Sequence, residues 1–282
     1  FLLGGGLVEM VLAFIAAGIG NLVRTKLIKH HYTLFLNIAM SISAACLAYA
    51  LCLKLAEILF HLPAFHEAGY ICSILFIIPG FPFITSGIDL AKLDLRSGLE
   101  RLTYAIIIVL VATMFAWIMA LLLNLQPLAF TSMNLNPILL LCLRIIASFC
   151  GVFGFSIMFN STIPMAAIAA LIGAVANTFR LELIDFTGMP PAAAAFIGAL
   201  SAGLLASEIK KNNGYPRISL TVPSIVIMVP GLYLYRAIYN FGIMSLTEAV
   251  SWFTSAIMII IMLPLGLIFA RILTDRTFRF CT

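Results

Sequence analysis

Four polar residues occupy matching positions in two apolar stretches of the chain. Thr85 and Asp89 lie six and ten residues after one Pro-Gly pair, and Arg236 and Asn240 lie six and ten residues after another. Residues four apart share a helical face, so each pair places two polar groups on one side of its helix. A guanidinium can bind a carboxylate through two parallel donors. A carboxylate within a membrane can carry a proton or gate a path.

The two Pro-Gly pairs end closely similar segments. Residues 73–80 read SILFIIPG and residues 224–231 read SIVIMVPG. Proline lacks an N–H and displaces the carbonyl four residues earlier. We therefore expect the carbonyls of Leu75 and Val226 to lose their helical partners, which is costly in hydrocarbon unless another group binds them. Broken helices at corresponding places in two halves of a membrane chain are typical of a transporter's substrate site.

Composition assigns the chain to the membrane. It is 63% hydrophobic and only 10% charged, too few charges to cover a soluble protein of 282 residues. Apolar runs of roughly spanning length are too continuous for barrel strands, so the fold class is all-α and polytopic. The runs lie near 7–23, 33–60, 71–88, 102–123, 138–159, 163–178, 191–206, 218–240 and 249–273.

Two blocks of the chain recur at nearly equal spacings. Asn21, Arg24 and the Leu-Ile after them recur 156 residues later at Asn177 and Arg180, and the Pro-Gly segments recur after 151 residues. The two blocks keep the same order, which predicts a duplication with halves at 1–125 and 126–282. The alignment also predicts that the first half lacks its opening helix. The parent would have five helices per half, with breaks in helices four and nine and about nine complete spans present here.

An odd number of helices per half makes the second half enter the membrane from the opposite side, as an inverted repeat. Lys and Arg support this when loops are assigned alternately to two sides. The richer side is then the cytoplasm, with the C-terminus on it. It holds Arg24, Lys26, Lys29, Lys92, Arg96, Arg101, Lys210, Lys211, Arg217, Arg271, Arg276 and Arg279; the other holds Lys54, Arg180 and Arg236.

Depth along the helices ranks the candidates. Pro79 is ten residues from Gly69, or about 15 Å, and Pro230 is roughly 18 Å into its span, so both breaks are expected near the midplane. Arg236 lies about 9 Å beyond its break, where it either binds a substrate carboxylate or snorkels to the surface. Asp89 lies about 15 Å beyond, at the cytoplasmic boundary, where it either couples and gates or pairs with Lys92.

The candidate substrate site combines the breaks with nearby polar groups. Packing kinks satisfied by neighbouring helices are the alternative reading of the same residues. Ser86, Tyr233 and Tyr239 add hydrogen-bonding groups nearby, whereas Glu9 and Arg144 are interpreted as boundary residues. The proposed substrate-binding set is Ser73, Leu75, Pro79, Gly80, Thr85, Ser224, Val226, Pro230, Gly231, Tyr235, Arg236 and Asn240, with Asp89 for coupling or gating.

Other functions find little support. The six cysteines and the four histidines lack metal-ligand spacing, so we expect no metal. No HExxH, GxSxG or Walker motif is present, so we expect no enzyme, and no nucleotide loop to drive transport. Charge placement explains the net charge of +5 without nucleic acid. The expected partners are the lipid bilayer and a small-molecule substrate; whether the chain forms a homo-oligomer stays open.

These residues give the chain a resemblance to the threonine/serine exporter family of membrane proteins. The first module of that family carries a Pro-Gly, an acidic helix end and Gly-x-x-Arg, here Pro79-Gly80, Asp89 and Gly98 to Arg101. The second carries Val-Pro-Gly-x-x-x-Tyr-Arg, here residues 229–236. The resemblance implies export of threonine, serine or small carboxylates. It also implies a hydrophilic N-terminal region and a first helix that this sequence does not include.

Two functions remain open at this point. The first is a secondary transporter, an antiporter in the plasma (inner) membrane, that exports small amino acids or carboxylates by alternating access around a midplane site. It would need no cofactor beyond an ion gradient, with protons as the candidate ion. The second is a channel-like or structural membrane subunit in which the breaks are packing kinks.

Overall fold

The computed structural model describes residues 2–3, 5–61, 66, 69–126 and 135–280. Within these residues the chain forms helices and turns and no strand. Its helices are α1 (Leu7–Lys29), α2 (Leu34–Phe60), α3 (Tyr70–Ile74), α4 (Gly80–Ala91), α5 (Leu95–Leu123), α6 (Pro137–Met158), α7 (Ile163–Thr187), α8 (Pro191–Asn213), α9 (Arg217–Val226), α10 (Gly231–Gly242), α11 (Leu246–Thr274) and α12 (Arg276–Arg279).

Seven of these helices are long and apolar enough to cross a membrane. Two further spans arise if α3 with α4, and α9 with α10, each count as one bent crossing, which gives up to nine. The predicted all-α, polytopic membrane class is confirmed. The inverted relation of the two halves stays a prediction.

Local sequence signals set several helix ends. The side-chain oxygen of Asn136 accepts the N–H of Ile138 at 3.0 Å, and Pro137 follows as the first residue of α6. Proline is favoured there because its missing N–H would be unpaired in any case. Gly188, with φ of +64°, ends α7 in the left-handed conformation that glycine adopts without strain.

The helices extend beyond the apolar runs that predicted them. Arg24 lies inside α1, Arg180 inside α7 and Lys54 inside α2, so the prediction that these residues lie in loops is wrong. Arginine and lysine are good helix formers, and their long side chains let the helix continue past its apolar part. Apolar composition therefore marks the lipid-facing length of each span rather than the length of the helix.

Both predicted breaks are present as bends. The chain turns by 51° between α3 and α4 and by 46° between α9 and α10. A 3₁₀ turn, Leu75–Ile77, tightens the end of α3 before Pro79. Gly80 and Gly231 are the first residues of α4 and α10.

The backbone groups freed by the breaks have found nearby donors. The carbonyl of Leu75 accepts the N–H of Ile78 at 3.1 Å, and that of Val226 accepts the N–H of Val229 at 3.2 Å. As predicted, each carbonyl has lost its helical i+4 partner, but an i+3 donor has replaced that partner, so neither carbonyl is left unpaired. The chain tightens from i+4 to i+3 pairing ahead of each proline, which satisfies the carbonyls locally.

The chain forms two compact units, each of which is discontinuous in sequence. Unit 1 comprises Phe1–Pro79, Ala105–Asn134 and Gly231–Thr254, and unit 2 comprises Gly80–Tyr104, Leu135–Pro230 and Ser255–Thr282. Both Pro-Gly bonds are unit boundaries. The predicted halves 1–125 and 126–282 describe sequence duplication, whereas the units group residues by contact, so each unit draws on both halves.

Unit 1 packs α3 antiparallel to α10. A β-carbon at Gly231 would lie 2.8 Å from Leu75 Cδ2 and 3.2 Å from Ile78 Cγ1, so the first residue of α10 abuts the last turn before Pro79. One turn further along α10, the Tyr235 ring packs edge-on against Tyr70 at the start of α3. Tyr70 and Tyr235 are both fully buried in the core of this unit.

Unit 2 repeats the arrangement with the other two half-helices. A β-carbon at Gly80 would lie 2.6 Å from Val226 Cγ2 and 3.2 Å from Val229 Cγ2, so α4 begins against the end of α9. Helix α7 approaches α9 closely at Gly173, where a β-carbon would lie 2.7 Å from the backbone oxygen of Ser224. Each bent span thus gives its first part to one unit and its second part to the other.

We expect Gly173→Ala to destabilise the protein. The added methyl would meet the backbone oxygen of Ser224 and Cγ2 of Val152 at 2.7 and 2.6 Å, and overpacking of this kind typically costs about 1–3 kcal/mol. The measurement is the apparent melting temperature in detergent, with Gly154→Ala as the control. Gly154 has nothing within 4 Å of its β-carbon position, so that substitution should stabilise α6 by about 1 kcal/mol. Equal melting temperatures for the two variants would contradict close approach of α7 and α9.

Candidate functional site

The residues of the predicted substrate site are divided between the two units. Unit 1 holds Ser73, Leu75, Pro79, Gly231, Tyr235, Arg236 and Asn240, and unit 2 holds Gly80, Thr85, Asp89, Ser224, Val226 and Pro230.

The three predicted hydroxyl ligands are buried and already donate to backbone carbonyls. Ser73 Oγ donates to Tyr70 at 2.6 Å, and Thr85 Oγ1 donates to Phe81 at 3.0 Å. Ser224 Oγ lies within donating distance of the carbonyls of Ala169 and Leu220, at 2.9 and 2.5 Å. Each oxygen keeps its lone pairs, so these groups can accept a hydrogen bond from a substrate ammonium or hydroxyl but have no free proton to give.

Arg236 is held by aromatic rings instead of a carboxylate. Its guanidinium carbon lies 4.8 Å from the centre of the Trp252 ring, and Tyr233 packs edge-on against the same ring at 5.2 Å. Its Nε is buried without a hydrogen-bond partner. Among the described residues, no carboxylate forms a salt bridge with Arg236. A cation–π contact orients a guanidinium but leaves its positive charge unneutralised.

Asn240 and Tyr235, the other polar candidates on α10, have partners within unit 1. Asn240 Nδ2 donates to the backbone carbonyl of Arg236 at 2.8 Å, one turn earlier on the helix. The Tyr235 hydroxyl is hydrogen-bonded to the Tyr70 hydroxyl, and its ring lies beside Tyr239. The row of tyrosines fixes α10 against α3 and leaves Arg236 as the charged group on that helix.

Two arginines that were predicted to lie in loops contact the breaks, where the first part of each bent span ends. Arg24 Nη1 lies 3.5 Å from the carbonyl of Phe76, and Arg180 Nη1 lies 3.5 Å from the carbonyl of Met228. The last carbonyls of a helix carry partial negative charge that a cation stabilises. Arg24 and Arg180 are the same pair that marked the sequence duplication, so the repeated Asn-x-x-Arg block was the available signal for this contact.

Asp89 pairs with Arg101 rather than with Lys92. Arg101 Nη1 lies 2.7 Å from Asp89 Oδ2, across the turn that joins α4 to α5. Gly98 makes this turn tight, because a β-carbon there would lie 2.7 Å from Leu90 Cδ2. The acidic helix end and the Gly-x-x-Arg that suggested the family are therefore one structural feature, a closed α4–α5 hairpin.

Glu9 and Arg144, interpreted from sequence as boundary residues, each have a charged or titratable partner. Glu9 Oε1 lies 2.7 Å from His66 Nδ1. Arg144 bridges Glu182 at 2.7 Å and Asp185 at 2.5 Å, which ties α6 to α7. Among the described residues no group of three metal-type ligands occurs.

A cavity of about 160 Å³ lies within unit 2 between α4, α9, α11 and α12. Its charged lining consists of Lys92, Arg217, Arg271 and Asp275. Arg217 donates to Thr274 Oγ1 at 2.9 Å and to the carbonyl of Gly203 at 3.1 Å. With three cations and one carboxylate, the cavity has the chemistry to hold a small anion or a zwitterion.

Comparison with known proteins gives the family. The family model ThrE, described as a putative threonine/serine exporter, matches residues 1–124, and the model ThrE_2, described as a threonine/serine exporter, matches residues 144–273. No curated protein and no solved structure matches the chain. The two models describe exporters rather than enzymes, and together they cover most of the sequence. The chain, a polytopic membrane protein with two bent spans, belongs to the threonine/serine exporter family.

Proposed function

We propose that this protein is a secondary transporter that exports small amino acids, such as threonine or serine, or small carboxylates. The observation that carries the proposal is Arg236, a half-buried cation in an apolar helix with an aromatic partner and no carboxylate partner in the described chain. A charge in such a place is costly unless an anion neutralises it for part of the working cycle. A substrate carboxylate would supply that anion.

The chemistry of an amino acid matches the groups near the breaks. A guanidinium offers two parallel donors to a carboxylate, which fixes the orientation of the substrate. The hydroxyl of Ser73, which belongs to the same unit as Arg236, keeps lone pairs for a substrate ammonium or hydroxyl. Small dicarboxylates would bind the arginine in the same way. Arg236 would therefore select substrates that carry a carboxylate, without distinguishing one amino-acid side chain from another.

We propose that export occurs by alternating access, and the position of the two breaks supports this. Both Pro-Gly bonds coincide with boundaries between compact units, and glycine at the start of a helix tolerates changes in backbone dihedrals. Domain closure around a ligand concentrates such changes in a few residues at element ends. We propose that the two bends act as hinges and expose the site first to the cytoplasm and then outside. This working cycle would take place in the plasma (inner) membrane with the C-terminus in the cytoplasm.

We propose a gating role for Asp89 through its partner Arg101. Opening of the α4–α5 hairpin would break this contact, and Arg101 is half exposed, so the pair contributes only about 0–1 kcal/mol when closed. A weak contact at a moving hairpin can open and re-form in each cycle. Asp89 would then act as a latch, a contact that holds the hairpin closed. Transport would depend on its contact with Arg101 rather than on proton binding by its carboxylate.

Arg236→Gln should reduce threonine efflux from loaded proteoliposomes by at least tenfold. Loss of a charge-assisted hydrogen bond costs about 1.5–3 kcal/mol, and each 1.4 kcal/mol is a factor of ten in binding. Succinate efflux would be measured in the same preparation. Arg96→Gln is the matched control, because Arg96 is exposed on α5 and pairs with Glu100 on the same surface.

The proposed role of Arg236 fails if Arg236→Gln transports both threonine and succinate at the wild-type rate with normal protein levels. Steady ion current that no amino acid or carboxylate competes with would instead favour a channel. Equal losses in Arg236→Gln and Arg96→Gln would show a general effect of removing positive charge.

Exchanging the two charges at the α4–α5 hairpin distinguishes two roles for Asp89, a latch and a proton carrier. Asp89→Asn and Arg101→Gln should each slow threonine efflux several-fold, since either breaks the 2.7 Å contact. The double variant Asp89→Arg with Arg101→Asp should recover most of the rate, because the pair re-forms in reverse. If the double variant is as slow as the single ones, the position of the carboxylate itself is required and the latch is refuted.

A further inference from the structure

A buried carboxylate outside the proposed substrate site lies in the first turn of α1. Glu9 is 4% exposed. Its Oε2 accepts the backbone N–H of Gly6 at 2.8 Å, and its Oε1 lies 2.7 Å from Nδ1 of His66. The first contact caps the helix, as Glu often does at this position. The second contact joins the other carboxylate oxygen to a histidine, a side-chain type that often exchanges protons in proteins.

The surroundings of this pair leave it without another charged partner in the described chain. The Tyr49 hydroxyl on α2 donates to the backbone carbonyl of His66 at 2.6 Å. Tyr49 and Cys72 on α3 are the other titratable groups that act on or are acted on by Glu9, and both types are ordinarily neutral at physiological pH. Neither of these two groups therefore adds a charge to the pair.

The pair also lies against the start of a broken span. A β-carbon at Gly69, the residue before α3, would lie 3.0 Å from the β-carbon of Glu9 and would overlap the Tyr49 hydroxyl. A change in the charge of Glu9 and His66 thus acts directly on the first residues of α3. From there α3 leads to the Pro79-Gly80 hinge.

We propose that Glu9 and His66 together bind the proton that drives export. With a neutral imidazole the buried pair carries one net negative charge; a proton on the ring makes it an imidazolium–carboxylate pair of zero net charge, which burial disfavours less. The inference rests on the proposed export function. In an antiport cycle one proton moves from the outer side to the pair and then to the cytoplasm as one substrate molecule moves out.

The placement of the pair suits that direction better than the placement of Asp89. Charge distribution predicts that the N-terminal end of α1 faces outside, where the driving proton is taken up. Asp89 is predicted at the cytoplasmic end and is committed to Arg101. At the offset of 156 residues, Glu9 corresponds to Met165, so the pair belongs to one half of the chain and gives the two sides different chemistry.

The test measures threonine and protons in the same vesicles. Proteoliposomes are loaded with labelled threonine and a pH-sensitive dye, and acidification of the lumen is followed as threonine leaves. Glu9→Gln keeps the helix cap, because glutamine also suits this position, but removes the titratable carboxylate. Glu57→Gln is the matched control, because Glu57 is a half-buried glutamate in the last turn of α2.

Wild type and Glu57→Gln should acidify the lumen in proportion to threonine efflux. Glu9→Gln and His66→Asn should lose at least nine tenths of this acidification while threonine exchange at equal concentrations continues. Full acidification in Glu9→Gln would overturn the proposal. Loss of exchange as well as acidification would also overturn it, because the pair would then be structural. If wild type moves no threonine or succinate at all, the proposed export function itself has failed.

Discussion

Every helix that stops inside a membrane must find new partners for its backbone, because hydrocarbon supplies none. The two bent spans meet this constraint in the same way. The chain tightens to i+3 pairing before each proline, so Ile78 and Val229 donate to carbonyls that the prolines cannot serve. An arginine from a neighbouring helix, Arg24 or Arg180, then reaches the carbonyl end of each first segment. The breaks are thereby stable features of the fold and need no ligand to exist.

The same constraint explains why glycine follows each proline. The second part of each span starts against the first part of the other span, with Gly231 against Leu75 and Gly80 against Val226. Each contact lies inside one unit, so unit 1 combines α3 with α10 and unit 2 combines α9 with α4. A side chain at either glycine would separate the half-helices and expose the backbone that they cover. At each Pro-Gly bond, a boundary between units therefore coincides with a close approach of half-helices inside one unit.

Sequence alone predicted the parts of this fold that depend on neighbouring residues. Composition identified the spans, and proline chemistry located both bends. The loop positions given to Arg24 and Arg180 were wrong, because helix length and apolar length differ. Pairs such as Asp89 with Arg101 and Glu9 with His66 join residues 12 and 57 positions apart. Those contacts depend on how helices pack, and a single sequence taken by itself carries no signal of that packing.

Three arginines near the bent spans differ in the contacts that their guanidinium groups make. Arg24 and Arg180 each approach a carbonyl at the end of a half-helix, so an anion that captured either one would uncover backbone. Arg236 instead contacts the face of Trp252. An aromatic face holds the guanidinium plane in place without using its donors. An anion can therefore bind Arg236 without breaking any polar contact of the bends, whereas at the other two it must compete with the fold. That difference makes Arg236 the better candidate for a carboxylate and leaves the two matched arginines to hold the backbone.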